Sequence, residues 1–268
     1  MILYECLTHQ ATQKPLFALT NSRSRSIRQG LAKTKSKAGS SSMKNKLLII
    51  AAHPDDEVLG CFGTAARLIK EGFEAYTLIL GEGKTSRGEQ ASASDFQQEM
   101  DILEQECLKA NELIGVKEVF RSHFADNRFD STNLLDIVKA VEKIVAKIQP
   151  NVLFAHYERD LNIDHQFAFK AALTATRALK GQSVREFYSF EVISSTEFNY
   201  PLSFCPNCYF DISTTLQDKL NAMSLYKSEL CEFPHPRSLE NIELNAKYHG
   251  VRVGVSYAEA FVGIRVLR

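Results

Sequence analysis

The chain has 268 residues, 44% of them hydrophobic, so it can bury the core of one large domain without a second. Its 32 basic and 32 acidic side chains give a formal net charge of zero, which excludes an overall field that recruits nucleic acid or an anionic membrane. No apolar run approaches the roughly 20 residues that span a bilayer, and no signal-type apolar block is present. We expect a cytoplasmic protein, and self-association into a homo-oligomer stays open.

The first part of the chain differs in composition from the rest. Gln10 to Ser42 is rich in Ser, Lys, Arg, Thr and Ala without sustained periodicity, so it cannot bury enough apolar surface to offset its ordering entropy. We predict that residues 1–42 are a disordered extension, that 43–268 form a single domain, and that Met43 could be the biological start. A transit peptide is the alternative, because Glu5 is the one acidic residue before Met43.

After Met43, short apolar runs alternate with longer helical stretches, which predicts βαβ units and a largely parallel sheet in an α/β fold. Strands are predicted at Leu47–Ala52, Ala75–Leu80, Glu118–Arg121, Asn151–Ala155, Phe187–Ile193 and Ala260–Val266. Helices are predicted at Leu59–Glu71, Phe96–Ile114, Leu134–Ile148, Asp164–Leu179 and Leu216–Tyr226. We find no internal repeat.

A dense group of acids follows the first predicted strand, at the edge where ligands collect in an open parallel sheet. The sequence His53-Pro54-Asp55-Asp56-Glu57 places an imidazole and three carboxylates at the start of a helix that Pro54 can begin. In a helix, His53 and Asp56 are three residues apart and can converge on one point, while Asp55 projects in a neighbouring direction. Two of these groups could bind a ligand and one could react.

The fourth predicted strand ends in a second polar run, from His156 to His165. Two imidazoles and one carboxylate with open positions for water are the ligand set of a catalytic zinc site, whereas structural zinc sites are closed by four protein ligands. The same two imidazoles and one carboxylate would also bind ferrous iron. The two strand ends together indicate a catalytic metal, with Zn²⁺ expected.

These two polar runs resemble a known family. Residues 52–57 (Ala-His-Pro-Asp-Asp-Glu) and 160–165 (Asp-x-Asn-x-Asp-His) are similar to the LmbE-like deacetylases, the superfamily of N-acetylglucosaminyl-phosphatidylinositol de-N-acetylases. Weaker matches are Gly81–Gly83, Arg87, Asp126–Arg128 and Pro234–Ser238. The resemblance spans roughly Met43 to the C-terminus and implies a Rossmann-like three-layer fold, with a mostly parallel sheet and no dinucleotide cofactor.

The resemblance also implies a reaction, the hydrolysis of the N-acetyl amide of a sugar. It implies that His53, Asp56 and His165 bind one Zn²⁺ per chain and that Asp55 is the general base. Zinc can polarise the acetyl carbonyl and lower the pKa of water from about 15.7 toward about 7. Asp55 could then take a proton from that water and deliver it to the departing amine.

Other side chains are predicted to support this site. Asp160 or Asp164 is expected to orient a ligand imidazole through its second nitrogen. Arg87, Asp126 and Arg237 are predicted to contact hydroxyls or a phosphate of the substrate, and each could equally be a surface salt-bridge partner.

Asn162 departs from the family pattern, which often has a histidine three residues before the last metal ligand. We predict that Asn162 faces the site and donates a hydrogen bond to the oxyanion. The structural alternative is that Asn162 caps the helix that begins near Asp164. His156, at the strand end, or His235, in a late loop, could supply the missing imidazole.

Three other functions are less consistent with the sequence. Gly81–Thr85 looks like part of a phosphate loop, but the required glycine five residues before Gly83 is Leu78. A dinucleotide site needs a glycine-rich turn after the first strand, where this chain has acids. A glycan-binding protein without turnover is the remaining alternative, and retention of Asp55 argues against it, because a dead site needs no such carboxylate.

The six cysteines are scattered along the chain. The cysteines are expected to be reduced, and the Cys205-Pro-Asn-Cys208 pair is expected to pack as small apolar side chains because no second pair accompanies it.

The sequence leaves the substrate open: the expected N-acetylated sugar is free, nucleotide-linked or lipid-linked. The neutral charge favours a soluble sugar or nucleotide sugar of polysaccharide or glycoconjugate synthesis.

Overall fold

The computed structural model describes residues 45–83 and 93–267, with side chains from residue 97 in the second stretch. The predictions for residues 1–42, for Met43 as the start and for Arg87 concern residues outside these ranges. They therefore stay predictions, as does the single domain at 43–268.

A seven-stranded sheet forms the middle of the molecule, in the order β3-β2-β1-β4-β5-β7-β6. The strands are β1 (Lys46–Ala51), β2 (Glu74–Gly81), β3 (Glu118–Phe124), β4 (Val152–His156), β5 (Glu186–Phe190), β6 (Cys208–Asp211) and β7 (Ala258–Val266). The first five strands pair in parallel, whereas β7 runs antiparallel to both β5 and β6. The predicted mostly parallel sheet is confirmed.

Helices cover both faces of this sheet. They are α1 (Asp56–Lys70), α2 (Ala93–Ile114), α3 (Leu134–Ile148), α4 (Ile163–Ala175), α5 (Leu216–Met223) and α6 (Leu239–Val253). Helices α1, α2, α5 and α6 contribute to one core cluster and α3 and α4 to the other, which gives the predicted three layers. Within the described residues, no helix is both long and apolar enough to cross a membrane.

Strand β1 shows why the sheet is buried on both faces. Leu47, Ile49 and Ala51 pack into one core cluster, and the alternate residues Leu48 and Ile50 pack into the other. Side chains alternate across a strand, so a continuous apolar run serves both layers at once. The polar residues that follow β1 are consequently placed by one of the most rigid elements of the fold.

A buried ion pair holds α1 against α5 and β7. Lys219 Nζ lies 2.6 Å from Glu259 Oε1, and both side chains are almost fully buried. Lys219 also donates to the Leu59 carbonyl at 2.8 Å, while Glu259 accepts the backbone N–H groups of Gly63 and Thr64 at 3.0 and 2.7 Å. The pair therefore binds the backbone of α1 directly.

Three elements depart from the sequence-based expectation. Strand β6 and helix α6 were not predicted, because β6 has only four residues and α6 exposes apolar side chains such as Leu244, Tyr248 and Val251 away from the core. Cys208 lies in β6 and Cys205 precedes it, and neither forms a disulfide. Helix α4 ends at Ala175, earlier than the predicted Leu179.

Candidate active site

A polar cleft lies at the edge of the sheet where the parallel strands end. All five parallel strands contribute to it through the loops that follow them, and a late loop closes one side. Its volume is about 210 Å³, and its lining includes His53, Asp55, Asp56, Asp126, Asn162, His165, Ser195, His235 and Arg237. The cleft lies next to the switch between β1 and β4, where strand order reverses and parallel sheets bind ligands.

Three side chains at this switch point are arranged to hold a metal ion. His53 follows β1, Asp56 is the first residue of α1, and His165 is in the first turn of α4. Asp56 Oδ2 lies 3.4 Å from His53 Nδ1 and 3.3 Å from His165 Nε2. One ligand atom of each residue lies within 4.8 Å of the others, and all three side chains are buried. This geometry suits a tetrahedral ion with a position left for water or substrate.

Each candidate imidazole ligand also contacts a carboxylate through its other nitrogen. Asp164 Oδ2 lies 3.0 Å from His53 Nε2, and Asp160 Oδ2 lies 3.3 Å from His165 Nδ1. Such contacts fix the tautomer and the ring orientation of a metal-binding histidine. Both acids are fully buried, and Asp126 Oδ1 is a further neighbour of His53 Nε2, at 3.1 Å.

The electrostatics of the cleft favour a bound cation. Burial alone would lower the pKa of His53, but hydrogen bonds to Asp164 and Asp56 outweigh it and raise that pKa to about 9. Burial likewise opposes protonation of His165, yet Asp56 and Asp160 raise its pKa to about 10. The surrounding carboxylates thus stabilise positive charge between the two imidazoles. The donor set fits Zn²⁺ and would also accept Fe²⁺.

Asp55 is held in an unusual backbone conformation between β1 and α1. Its φ is +97°, which non-glycine residues rarely adopt, and its N–H donates to Glu57 Oε2 at 3.1 Å. Burial and the charge of Asp56 raise the pKa of the Asp55 carboxyl well above its usual range, while Arg237 opposes this. A carboxyl with a raised pKa can both take up and deliver a proton.

Arg237 reaches the cleft from the loop before α6. Its Nη1 lies 3.1 Å from Asp55 Oδ2 and 2.9 Å from Glu229 Oε2. The sequence predicted a substrate contact for Arg237 or, alternatively, a surface ion pair. The structure places it in a largely buried ion pair with Asp55, a partner far from it in sequence.

Asn162 caps α4 and also lines the cleft, while the predicted hydrogen bond to an oxyanion stays a prediction. Its Oδ1 accepts the N–H of Asp164 at 2.8 Å, so it caps α4. Its Nδ2 donates to Asn127 Oδ1 at 3.1 Å, and the residue also lines the cleft. The cap therefore leaves the amide nitrogen on the cleft side of the helix.

The structure does not bring His156 to the cleft surface. Its ring is fully buried and stacks on His165 with 4.0 Å between ring centroids. Its Nε2 accepts the N–H of Ala52 at 2.7 Å, and burial together with His165 lowers its pKa well below the usual value. His156 is thus a poor candidate for a substrate contact or a cationic helper. His235 does line the cleft, with its Nδ1 accepting the N–H of Arg237 at 3.1 Å.

Several residues of the cleft were not identified from the sequence. Ser194 and Ser195 follow β5, and Ser195 Oγ lies 3.4 Å from His165 Nδ1. Their position directly after a predicted strand was the available signal. Asn127 lies within the weakly matching run 126–128 but was given no role. Glu229 does not line the cleft but contacts Arg237, which does, and no local sequence pattern indicated this contact.

A comparison with protein families finds one match in the part of the chain that carries most of the cleft residues. Residues 48–176 match the model of the PIG-L family, the GlcNAc-PI de-N-acetylases. Over that range, the chain is similar to the PIG-L family. The matched range runs from within β1 to the end of α4 and includes His53, Asp55, Asp56 and His165, whereas Arg237 lies beyond it. The predicted resemblance to this family is confirmed.

Known proteins that are similar to this chain carry deacetylase names. It is 26% identical to diacetylchitobiose deacetylase of Thermococcus kodakarensis, and the match covers 82% of each chain. It is 23% identical to a probable N-acetyl-α-D-glucosaminyl L-malate deacetylase 2 of Bacillus cereus, over 70% of this chain and 84% of the relative. The crystal structure of the conserved protein TT1542 from Thermus thermophilus shares the fold, with a TM-score of 0.66, 24% identity and coverage of 83% and 96%.

Proposed function

We propose that this protein is a metal-dependent hydrolase that removes the acetyl group from an N-acetylated sugar, releasing acetate and an amino sugar. The observation that supports this most directly is the convergence of His53, Asp56 and His165, with the carboxylate of Asp55 beside them in an open cleft. The family match and the deacetylase names of the relatives point to the same chemistry.

His53, Asp56 and His165 would hold the ion, for which we propose Zn²⁺ at one per chain. When bound, the ion supplies Lewis-acid chemistry that polarises the acetyl carbonyl and acidifies water. Asp164 and Asp160 keep the two imidazoles in the tautomers that leave Nδ1 of His53 and Nε2 of His165 facing Asp56.

Asp55 then performs the proton transfers. Its carboxylate accepts a proton from the water that attacks the acetyl carbon, and the resulting carboxylic acid donates that proton to the nitrogen of the leaving amine. One group serves as base and acid because burial and the charge of Asp56 raise its pKa well above that of a solvated aspartate, which makes its protonated form a usable acid. Asn162 also lines the cleft, and its Nδ2 would donate a hydrogen bond to the developing oxyanion.

The dimensions of the cleft favour a single sugar ring as the part of the substrate that enters. Its volume of about 210 Å³ lies below the roughly 300–1,000 Å³ of pockets that enclose drug-sized ligands. The lining is mainly polar, with acids, amides and serines that can bond sugar hydroxyls. We propose a terminal N-acetylhexosamine whose remaining part, if any, extends from the cleft. Whether that part is absent, a nucleotide or a lipid stays open, and cytoplasmic location stays a prediction.

Acetate release from a panel of N-acetylated sugars tests this proposal. We expect acetate from at least one N-acetylhexosamine, loss of release after the metal is removed with a chelator, and recovery when Zn²⁺ is restored. Elemental analysis should find about one divalent ion per chain in the parent, and less in His53→Ala and His165→Ala. Sugar binding without acetate release from any member would instead indicate the glycan-binding alternative.

A further inference from the structure

We propose that Arg237, held in turn by Glu229, positions the carboxylate of Asp55 for proton transfer and is not primarily a substrate contact. The expected effect on catalysis rests on the proposed function. The positioning itself is a statement about the geometry of three side chains.

The contacts form a chain from a buried acid to the base. One guanidinium nitrogen, Nη1 of Arg237, lies 2.9 Å from Glu229 Oε2 and 3.1 Å from Asp55 Oδ2. Glu229 is 3% exposed, and it is not among the residues that line the described cleft. An arginine shared between two carboxylates has its direction fixed by both, since each ion pair restricts the same nitrogen.

The backbone around Arg237 is anchored as well. Its N–H donates to His235 Nδ1 at 3.1 Å, and its carbonyl accepts the N–H of Cys231 at 3.3 Å. The next residue, Ser238, caps α6 by accepting the N–H of Asn241 at 3.1 Å. A side chain that leaves such a loop can hold a partner within a fraction of an ångström, which is the precision that catalytic groups require.

Asp55 needs such a partner because its neighbours repel it. The charges of Asp56, Glu229 and Glu57 act against its own, and Arg237 lies between Asp55 and Glu229. The backbone of Asp55 is fixed by the bond from its N–H to Glu57, but that bond leaves the carboxylate free to rotate. In the described residues, Arg237 is the cation that contacts this carboxylate and selects one orientation of it.

Three variants separate positioning from substrate contact. Arg237→Met removes the positive charge, and Arg237→Lys keeps the charge but lacks the planar guanidinium group. Glu229→Gln weakens the ion pair that holds Arg237, and residue 229 itself does not line the cleft. We expect Arg237→Met to lower kcat about 10²-fold with KM changed less than about twofold, and Arg237→Lys to recover part of the loss. Glu229→Gln should lower kcat to a smaller extent with the same pattern. Glu71→Gln, in an exposed pair with Arg67, is the matched control and should match the parent.

Crystal structures of the same variants supply a readout that does not depend on activity. We expect the metal content to match the parent and the Asp55 carboxylate to be rotated or split between conformers in Arg237→Met and Glu229→Gln. An unmoved carboxylate in both, or a rise in KM with kcat unchanged, would overturn the inference and make Arg237 a substrate contact. A parent that releases no acetate would contradict the proposed function alone, because the position of Asp55 in the variants would still decide the inference.

Discussion

Asp55 and Asp56 are adjacent in sequence, but the turn between β1 and α1 directs their carboxylates to different partners. Asp55 Oδ2 contacts Arg237, whereas Asp56 Oδ2 contacts both His53 and His165. The positive φ of Asp55 produces this divergence, because it turns one side chain away from the direction that the following helix gives to the other. In the proposed function, these two identical residues therefore have different roles, Asp55 as the reactive group and Asp56 as a ligand.

We therefore predict different outcomes for the same substitution at the two positions. Asp55→Asn should lower turnover by about 10²–10⁴-fold or more with metal content nearly intact, because the amide keeps the shape but cannot accept the proton. Asp56→Asn should lose both activity and metal. Acetate assays and elemental analysis on the same preparations measure both quantities. Near-parental turnover in Asp55→Asn would exclude Asp55 as the base.

The helix cap that Asn162 forms and its proposed hydrogen bond to the oxyanion can be tested separately. Asn162→Asp keeps an oxygen that can cap α4 but has no donor for an oxyanion, whereas Asn162→Ala loses both. We predict that both variants lower kcat, with a loss of about 10²–10³-fold in Asn162→Ala. Only Asn162→Ala should also lower the free energy of unfolding, by about 1 kcal/mol. If Asn162→Asp retains parental kcat, the residue is a helix cap alone.

The residue scale also shows how far sequence reasoning can reach. His53, Asp55 and Asp56 are contiguous with a clear strand end, so the strand-end rule finds them together. Glu229 could not be found in this way, because an ion pair formed across a fold leaves no local pattern. His156 misled for the opposite reason: it is the last residue of β4, and the strand-end rule cannot tell whether a terminal side chain faces the cleft or the core.

At the scale of elements, α1 connects the site to a buried ion pair between α5 and β7. Its first turn carries Asp56, and its middle is bound by the Lys219–Glu259 pair. Lys219 and Glu259 both bond backbone groups of α1, so the position of this helix depends on both side chains. The orientation of the helix start, and of the cleft, depends on this support.

Lys219→Met should accordingly be strongly destabilising. It leaves Glu259 buried without its cation, for which the expected cost is about 3–5 kcal/mol of unfolding free energy. Lys70→Met is a matched control, because Lys70 and Asp218 also join α1 to α5 but are exposed, and its cost should not exceed about 1 kcal/mol. Urea unfolding of both variants measures the difference. Equal effects would show that burial does not distinguish the two pairs.

The elements differ in how well the sequence predicts them. Helix α3 was predicted with its observed bounds, because its apolar residues form one stripe against the sheet. Helix α6 has buried residues such as Ile242 and Ala246 but also exposes Leu244 and Val251, so no single stripe is visible. Strand β6 is four residues long and lies at an edge, where its pairing with β7 alone decides its conformation.

At the scale of the whole molecule, the cysteines report on global unfolding. Cys61 and Cys107 are fully buried, and burial raises the pKa of both thiols, whereas Cys205 is exposed. We predict that an alkylating reagent modifies Cys205 in the native protein and reaches Cys61 and Cys107 only when the core opens. Peptide mass spectrometry along a denaturant series measures this order. Modification of Cys61 at the native rate of Cys205 would contradict the buried position.

The position of β7 between β5 and β6 affects the order in which the strands can pair during synthesis. Strand β6 pairs with β7 alone, yet residues 208–211 leave the ribosome well before residues 258–266. The five parallel strands can assemble in the order of translation, but β6 must wait for a strand made later. Glu259 also belongs to β7, so Lys219 and the middle of α1 wait for the same segment. Nascent chains that stop before Ala258 should therefore carry Asp56, one of the three proposed metal ligands, on a helix that is not yet supported.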